Sequence, residues 1–189
     1  MRFEIPLVFV AIALGAAPFA SPSPMASPSP FPLADGNRWV LRDTDTGTVR
    51  TMSLSRKPSG LVLRGLPGAR DLRVRRVGKA IQAWDPASRR WEPLLRLGAP
   101  AGTRYVVDIG NSSLWRSLQV KVASRQAVVH DARGKTLRGC VRLTFQARKP
   151  IADAGLEELT FAPGIGPVAV TEITIAGPRR STLASFRLR

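Results

Sequence analysis

The feature that most constrains this chain is a two-residue alternation of apolar and polar side chains, broken by turn signals roughly every 8–14 residues. Leu118, Val120 and Val122 alternate with Gln119 and Lys121, and Leu72 and Val74 alternate with Arg73 and Arg75. Leu137, Val141, Leu143 and Phe145 share one parity, with Arg138, Arg142 and Thr144 on the other. A side-chain period of two puts one face of a strand on a core and the other in water. The pattern predicts strands over 38–42, 47–55, 60–65, 71–77, 79–84, 90–97, 104–109, 117–125, 136–147, 156–162, 168–175 and 180–188. A short helix over Ile151 to Glu158 is the best helical candidate outside the N-terminal leader. Short links between sequential strands imply antiparallel meanders. The expected fold is therefore all-β, an antiparallel meander forming one strongly curved sheet or open barrel, with a sandwich as the alternative.

The breaks have chemical causes. Asp43-Thr-Asp-Thr-Gly47 offers a carboxylate to its own backbone and a glycine free to take positive φ, and Asp85-Pro-Ala-Ser88 is similar. Pro163-Gly164 suits the central positions of a type II turn, with Gly166 permitting a bulge just after it.

Ahead of this body, residues 1–20 read as a secretory signal peptide. Arg2 supplies the charge, Ile5 to Ala17 are almost purely apolar, and Ala20 is a cleavage position. The alternative is an uncleaved N-terminal anchor. The leader has no cysteine to acylate. Residues 21–30 alternate Ser and Pro, a composition that neither propagates a helix nor donates to a ladder, and are expected to form an extended tether. A single β-rich domain would then occupy 31–189. The expected location is exported, periplasmic or extracellular, with the protein soluble after signal-peptide removal.

One Cys and one His exclude an intramolecular disulfide and a Cys/His zinc site. No metal or cofactor is expected. His130 precedes Asp131, but adjacent strand residues diverge, so a solvated turn histidine is the simpler reading than a base with its orienter. Strict parity places Cys140 with Arg138 and Arg142, where guanidinium groups would activate a thiolate, but a partly covered structural thiol is the simpler reading. Glu157-Glu158 diverge likewise, and nothing selects Asp153 or Glu172 as a partner for them. Gly164-Ile-Gly166 lacks the Lys-Ser/Thr of a phosphate loop.

The formal net charge is +16, from 29 Lys plus Arg against 13 Asp plus Glu. The basic residues are dispersed, with no run longer than two. The densest local set is Arg64, Arg73, Arg75 and Arg76, followed by Arg89 and Arg90 around Trp91, with Trp84 one strand earlier. Arginine beside tryptophan suits nucleic acid, anionic glycan or phospholipid headgroups. Export disfavours nucleic acid and leaves anionic envelope glycans or lipids as partners. A solvated basic face is the alternative, with the tryptophans as core-edge aromatics.

Two stretches carry a resemblance. Phe31-Pro-Leu-Ala-Asp-Gly-Asn-Arg-Trp-Val40 resembles the F-P-L-x-x-G-x-x-W opening of a group of exported bacterial proteins without assigned activity. Gly139-Cys-Val-Arg-Leu-Thr144 and Gly155-Leu-Glu-Glu-Leu-Thr-Phe-Ala-Pro-Gly-Ile-Gly-Pro-Val168 are similar to their C-V-R-L strand and F-A-P-G-[IV]-G-x-V hairpin, and Thr174-Ile-Ala-Gly-Pro-Arg179 also fits. Pro167 stands where those proteins often carry a larger apolar residue. The resemblance implies an exported, mostly β, non-enzymatic domain, somewhat like the half-barrels of periplasmic lipoprotein carriers. It transfers no catalytic residues. The function expected is an envelope protein with a binding or structural role. A lipid or lipoprotein carrier is the alternative, for which Leu94-Leu95, Val106-Val107 and Val128-Val129 supply apolar residues on both parities. A hydrolase is a third reading.

Overall fold

The structure, a computed structural model, describes residues 28–110, 115–147 and 155–189. The leader, most of the Ser/Pro segment, Asp153 and the first half of the helix candidate lie outside the described residues. The second half of that candidate is strand: Gly155–Ala162 pairs on both sides, and Leu156 and Leu159 are buried. The strand expected over 156–162 is thus found, and it takes in the end of the helix candidate.

Among the described residues there are twelve strands and no helix. They are β1 Arg38–Asp43, β2 Val49–Lys57, β3 Gly60–Arg64, β4 Leu72–Val77, β5 Ala80–Asp85 and β6 Arg90–Leu95. The second half comprises β7 Arg104–Val107, β8 Leu118–His130, β9 Thr136–Ala147, β10 Gly155–Ala162, β11 Gly166–Thr174 and β12 Gly177–Arg187. All pair antiparallel in one sheet, ordered β6-β5-β4-β3-β2-β1-β12-β11-β10-β9-β8-β7. Two six-stranded meanders are thus joined by their terminal strands, β1 against β12 from Arg38↔Arg187 to Asp43↔Ser181. The sheet is not closed into a barrel: β6 and β7, consecutive in sequence, are its two edges.

The alternation explains the curl. Trp39, Leu41, Met52, Leu54, Leu63, Leu72, Val74, Ile81 and Ala83 line one face of the first meander and are buried. Val120, Val122, Leu143, Leu159, Val170 and Leu183 do the same on the second. All belong to a single core, so the meanders bend toward each other to remove both faces from water. Trp115 joins the halves, donating its indole N–H to Pro67 O at 2.7 Å while its ring meets Phe145 edge-on. Near the open edges the Tyr105 hydroxyl accepts from Arg96 N at 3.1 Å and donates to Leu94 O at 3.5 Å. Burial pushes the Tyr105 phenol up to about 12, so the hydroxyl stays a donor.

The β8–β9 hairpin is longer than its alternation suggests, because β8 runs on to His130. Beyond Val141↔Phe161 it leaves β10, and its pairing register slips three times. Its tip returns to the centre of the sheet, where Ala132 N donates to Leu183 O at 2.8 Å. There His130, Asp131 and Ala132 face Arg42, Arg180 and Thr182 across a cleft. Thr160, Ala169 and Thr182, on the face opposite Leu159 and Val170, are buried as well.

Candidate anion-binding face

The residues opposite the first core face form the candidate site. On β4, Leu72 and Val74 point into the core, which sends Arg73 and Arg75 outward; on β5, Ile81 and Ala83 do the same for Gln82 and Trp84. Trp84 pairs with Trp91 on β6, ring centroids 5.7 Å apart and edge-on. The Arg73 guanidinium lies 4.3 Å from the Trp84 ring centre and 5.1 Å from that of Trp91, and Arg75 lies 4.4 Å from Trp91. Arg75 Nε also donates to Gln82 Oε1 at 2.9 Å. Each such cation–π contact contributes about 0.5–1 kcal/mol at a partly exposed site.

The stack fixes two guanidinium groups without neutralising them. Among the described residues no carboxylate pairs with Arg73 or Arg75; Arg73 Nη1 donates to Ser59 O at 3.5 Å, and its Nε is buried without a hydrogen-bond partner. Stacking occupies the faces of a guanidinium and leaves the in-plane N–H groups that are neither buried nor already donating, here the remaining terminal amino groups, for phosphate, sulfate or carboxylate.

The structure brings together four of the eight residues that the sequence singles out: Arg73, Arg75, Trp84 and Trp91. The other four are placed elsewhere. Arg64 pairs with Asp71 at 2.8 Å. Arg76 follows Arg75 directly and turns to the opposite face, donating to Ser29 Oγ at 2.8 Å and to Phe31 O. Arg89 adopts φ 53° in the β5–β6 turn. Arg90 opposes Asp85 in the ladder and lies 3.7 Å from Glu92.

Cys140 corrects the parity expectation: Gly139, at φ 67°, and the register slip between Ala127 and Val129 turn the thiol into the core, away from the arginines. Burial pushes the Cys140 thiol up, and the Arg142 charge only partly opposes it. His130 Nδ1 lies 3.2 Å from Thr136 Oγ1 on the surface, while Asp131 accepts from Arg133 N and Lys135 N at 2.9 Å each. The pair does not converge. Glu158 lies 3.4 Å from Arg142, and Glu172 pairs with Arg50 at 2.7 Å. No three His, Cys, Asp or Glu side chains cluster among the described residues.

Sequence reasoning missed the N-terminal strap. Pro28 to Phe31 lie against the domain: Ser29 O accepts from Gly164 N at 3.0 Å, and Phe31 is buried against Trp39 and Phe161, with centroids 5.2 and 5.5 Å away. The last residues of the Ser/Pro segment are therefore part of the fold. The aromatic after that segment is the only local signal of it.

No family model matches the chain, and no curated protein does. Among solved structures it is similar to a Bacteroides fragilis protein provisionally described as exported with a YmcC-like fold, at 11% identity and a TM-score of 0.45, over 86% of this chain and 100% of that one. It is also similar to a Parabacteroides distasonis protein provisionally described as a lipoprotein, at 11% identity and a TM-score of 0.36, with the same coverage.

Proposed function

We propose that this is an exported, non-catalytic envelope protein that holds anionic glycan or lipid headgroups on the outer face of its first meander. Arg73 and Arg75 supply the charge, and Trp84 and Trp91 hold the guanidinium groups flat. The observation that carries this reading is the Arg73 guanidinium lying over Trp84 and Trp91 with no ion-pairing carboxylate among the described residues. The leader-like residues 1–20 and the Ser/Pro tether support export. A titration with a heparin fragment, followed by tryptophan fluorescence, tests the reading. Trp39 and Trp115 are buried, whereas Trp84 and Trp91 are only partly so, and the signal reports on the proposed face. Saturable quenching that disappears in Arg73→Gln/Arg75→Gln is expected. Unchanged binding by that variant would refute the assignment.

A further inference from the structure

A cleft of about 320 Å³ opens between the N-terminal strap, the base of the β8–β9 hairpin and the loop after β6. Leu97, Val141 and Pro163 give it an apolar side, and Arg76, Lys79 and Arg125 give it three cations. Among the described residues no carboxylate lines it. Two of the cations are held by neutral acceptors only: Arg76 by Ser29 Oγ and Phe31 O, and Arg125 by Leu97 O and Ala99 O at 2.7 and 3.0 Å. Carbonyl and hydroxyl oxygens fix a guanidinium in place without cancelling its charge. Lys79 has no hydrogen-bond or ion-pair partner among the described residues.

Like charges gathered at one cleft favour an anion that enters it. A bare inorganic anion would leave the apolar side in water, whereas an attached alkyl chain would cover it. The volume sits at the lower end of the roughly 300–1,000 Å³ typical of ligand pockets, which suits one short chain better than a two-chain lipid. We infer that this cleft binds an anionic amphiphile, a single alkyl or acyl chain with a phosphate or carboxylate head. The site is separate from the Arg73/Trp84 face, because Arg76 leaves β4 on the other side, and it stands without that reading.

Calorimetric titration of the purified protein with decyl phosphate below its micellar concentration tests the site. Saturable binding of one molecule is expected, with none from decyl maltoside or inorganic phosphate at the same concentration. Lys79→Glu weakens it about tenfold. Gln126→Trp, which fills the cleft from an exposed position, abolishes it. Arg73→Gln leaves it unchanged. Circular dichroism and Tm matching the parent confirm that the variants fold. Four results would overturn the inference: no saturable binding, equal binding of decyl maltoside, equal binding of inorganic phosphate, or an affinity that responds to Arg73→Gln and not to Lys79→Glu or Gln126→Trp.

Discussion

Gly166 adopts φ 111°, and a Cβ built on it would lie 2.6 Å from Trp39 Nε1. The indole N–H beside it donates to Ile165 O at 2.5 Å. Gly166→Ala therefore combines a backbone conformation costly for L-residues with a clash against a buried ring. It is expected to destabilise the fold by about 3 kcal/mol in urea unfolding. The residues that carry the sequence resemblance meet at this place: Phe31 and Trp39 from the opening, Phe161 and Gly166 from the hairpin. Asn37, also in the opening, is buried; its amide donates to Pro32 O at 2.9 Å and its Oδ1 accepts from Arg189 N at 2.8 Å. These residues hold together the segment before β1, the β10–β11 hairpin and Arg189. A second residue-scale case is Asp43. The Thr46 backbone N–H, with the Thr46 hydroxyl and Asp45 N–H, holds its carboxyl below the usual range despite desolvation. A group with a depressed folded pKa stabilises above its unfolded value of about 3.9, and that contribution is lost as pH falls through the folded value. Asp43→Asn should thus reduce the stability difference between pH 7 and pH 3 in paired denaturation curves.

At the scale of the element, the strands were legible because their core faces alternate cleanly, as in Leu72, Val74 and Leu118, Val120, Val122. The turns were legible because Asp43, Asp85 and Pro163-Gly164 have local chemistry: Asp85 accepts from Ala87 N and Ser88 N, and Ile165 N donates to Ala162 O. One bulge is legible: Gly166 permits it just after Pro163-Gly164, and the β10–β11 register shifts there, between Thr160↔Ala169 and Phe161↔Pro167. At Gly139 a left-handed glycine shifts the phase of β9 and turns Cys140 from the arginine face that strict alternation gives it into the core, where a structural thiol belongs. The buried, raised thiol is expected to resist a disulfide-exchange reagent at pH 8 in the native protein and to react stoichiometrically in denaturant. Reaction of the native protein at the denatured rate would contradict the assigned register.

At the scale of the whole molecule, local pattern carries the least information. The pairing of β1 with β12 joins residues more than a hundred positions apart, and no turn between them specifies it. The closing of the curl by Trp115 on Pro67, and the return of the β8–β9 tip to Leu183, are likewise long-range. The same holds for the candidate face. Sequence proximity gathered eight residues, and strand parity divided them, leaving Arg73 and Arg75 beside Trp84 and Trp91 and sending Arg76 to the opposite side. The direct test of this division is the salt dependence of heparin-fragment affinity for the parent and for Arg73→Gln/Arg75→Gln. Affinity falls as salt rises in proportion to the cations engaged, so the variant's log–log slope should flatten by about two counterion equivalents. A variant with the parent's slope and affinity would show that the charge of this face is carried without being used.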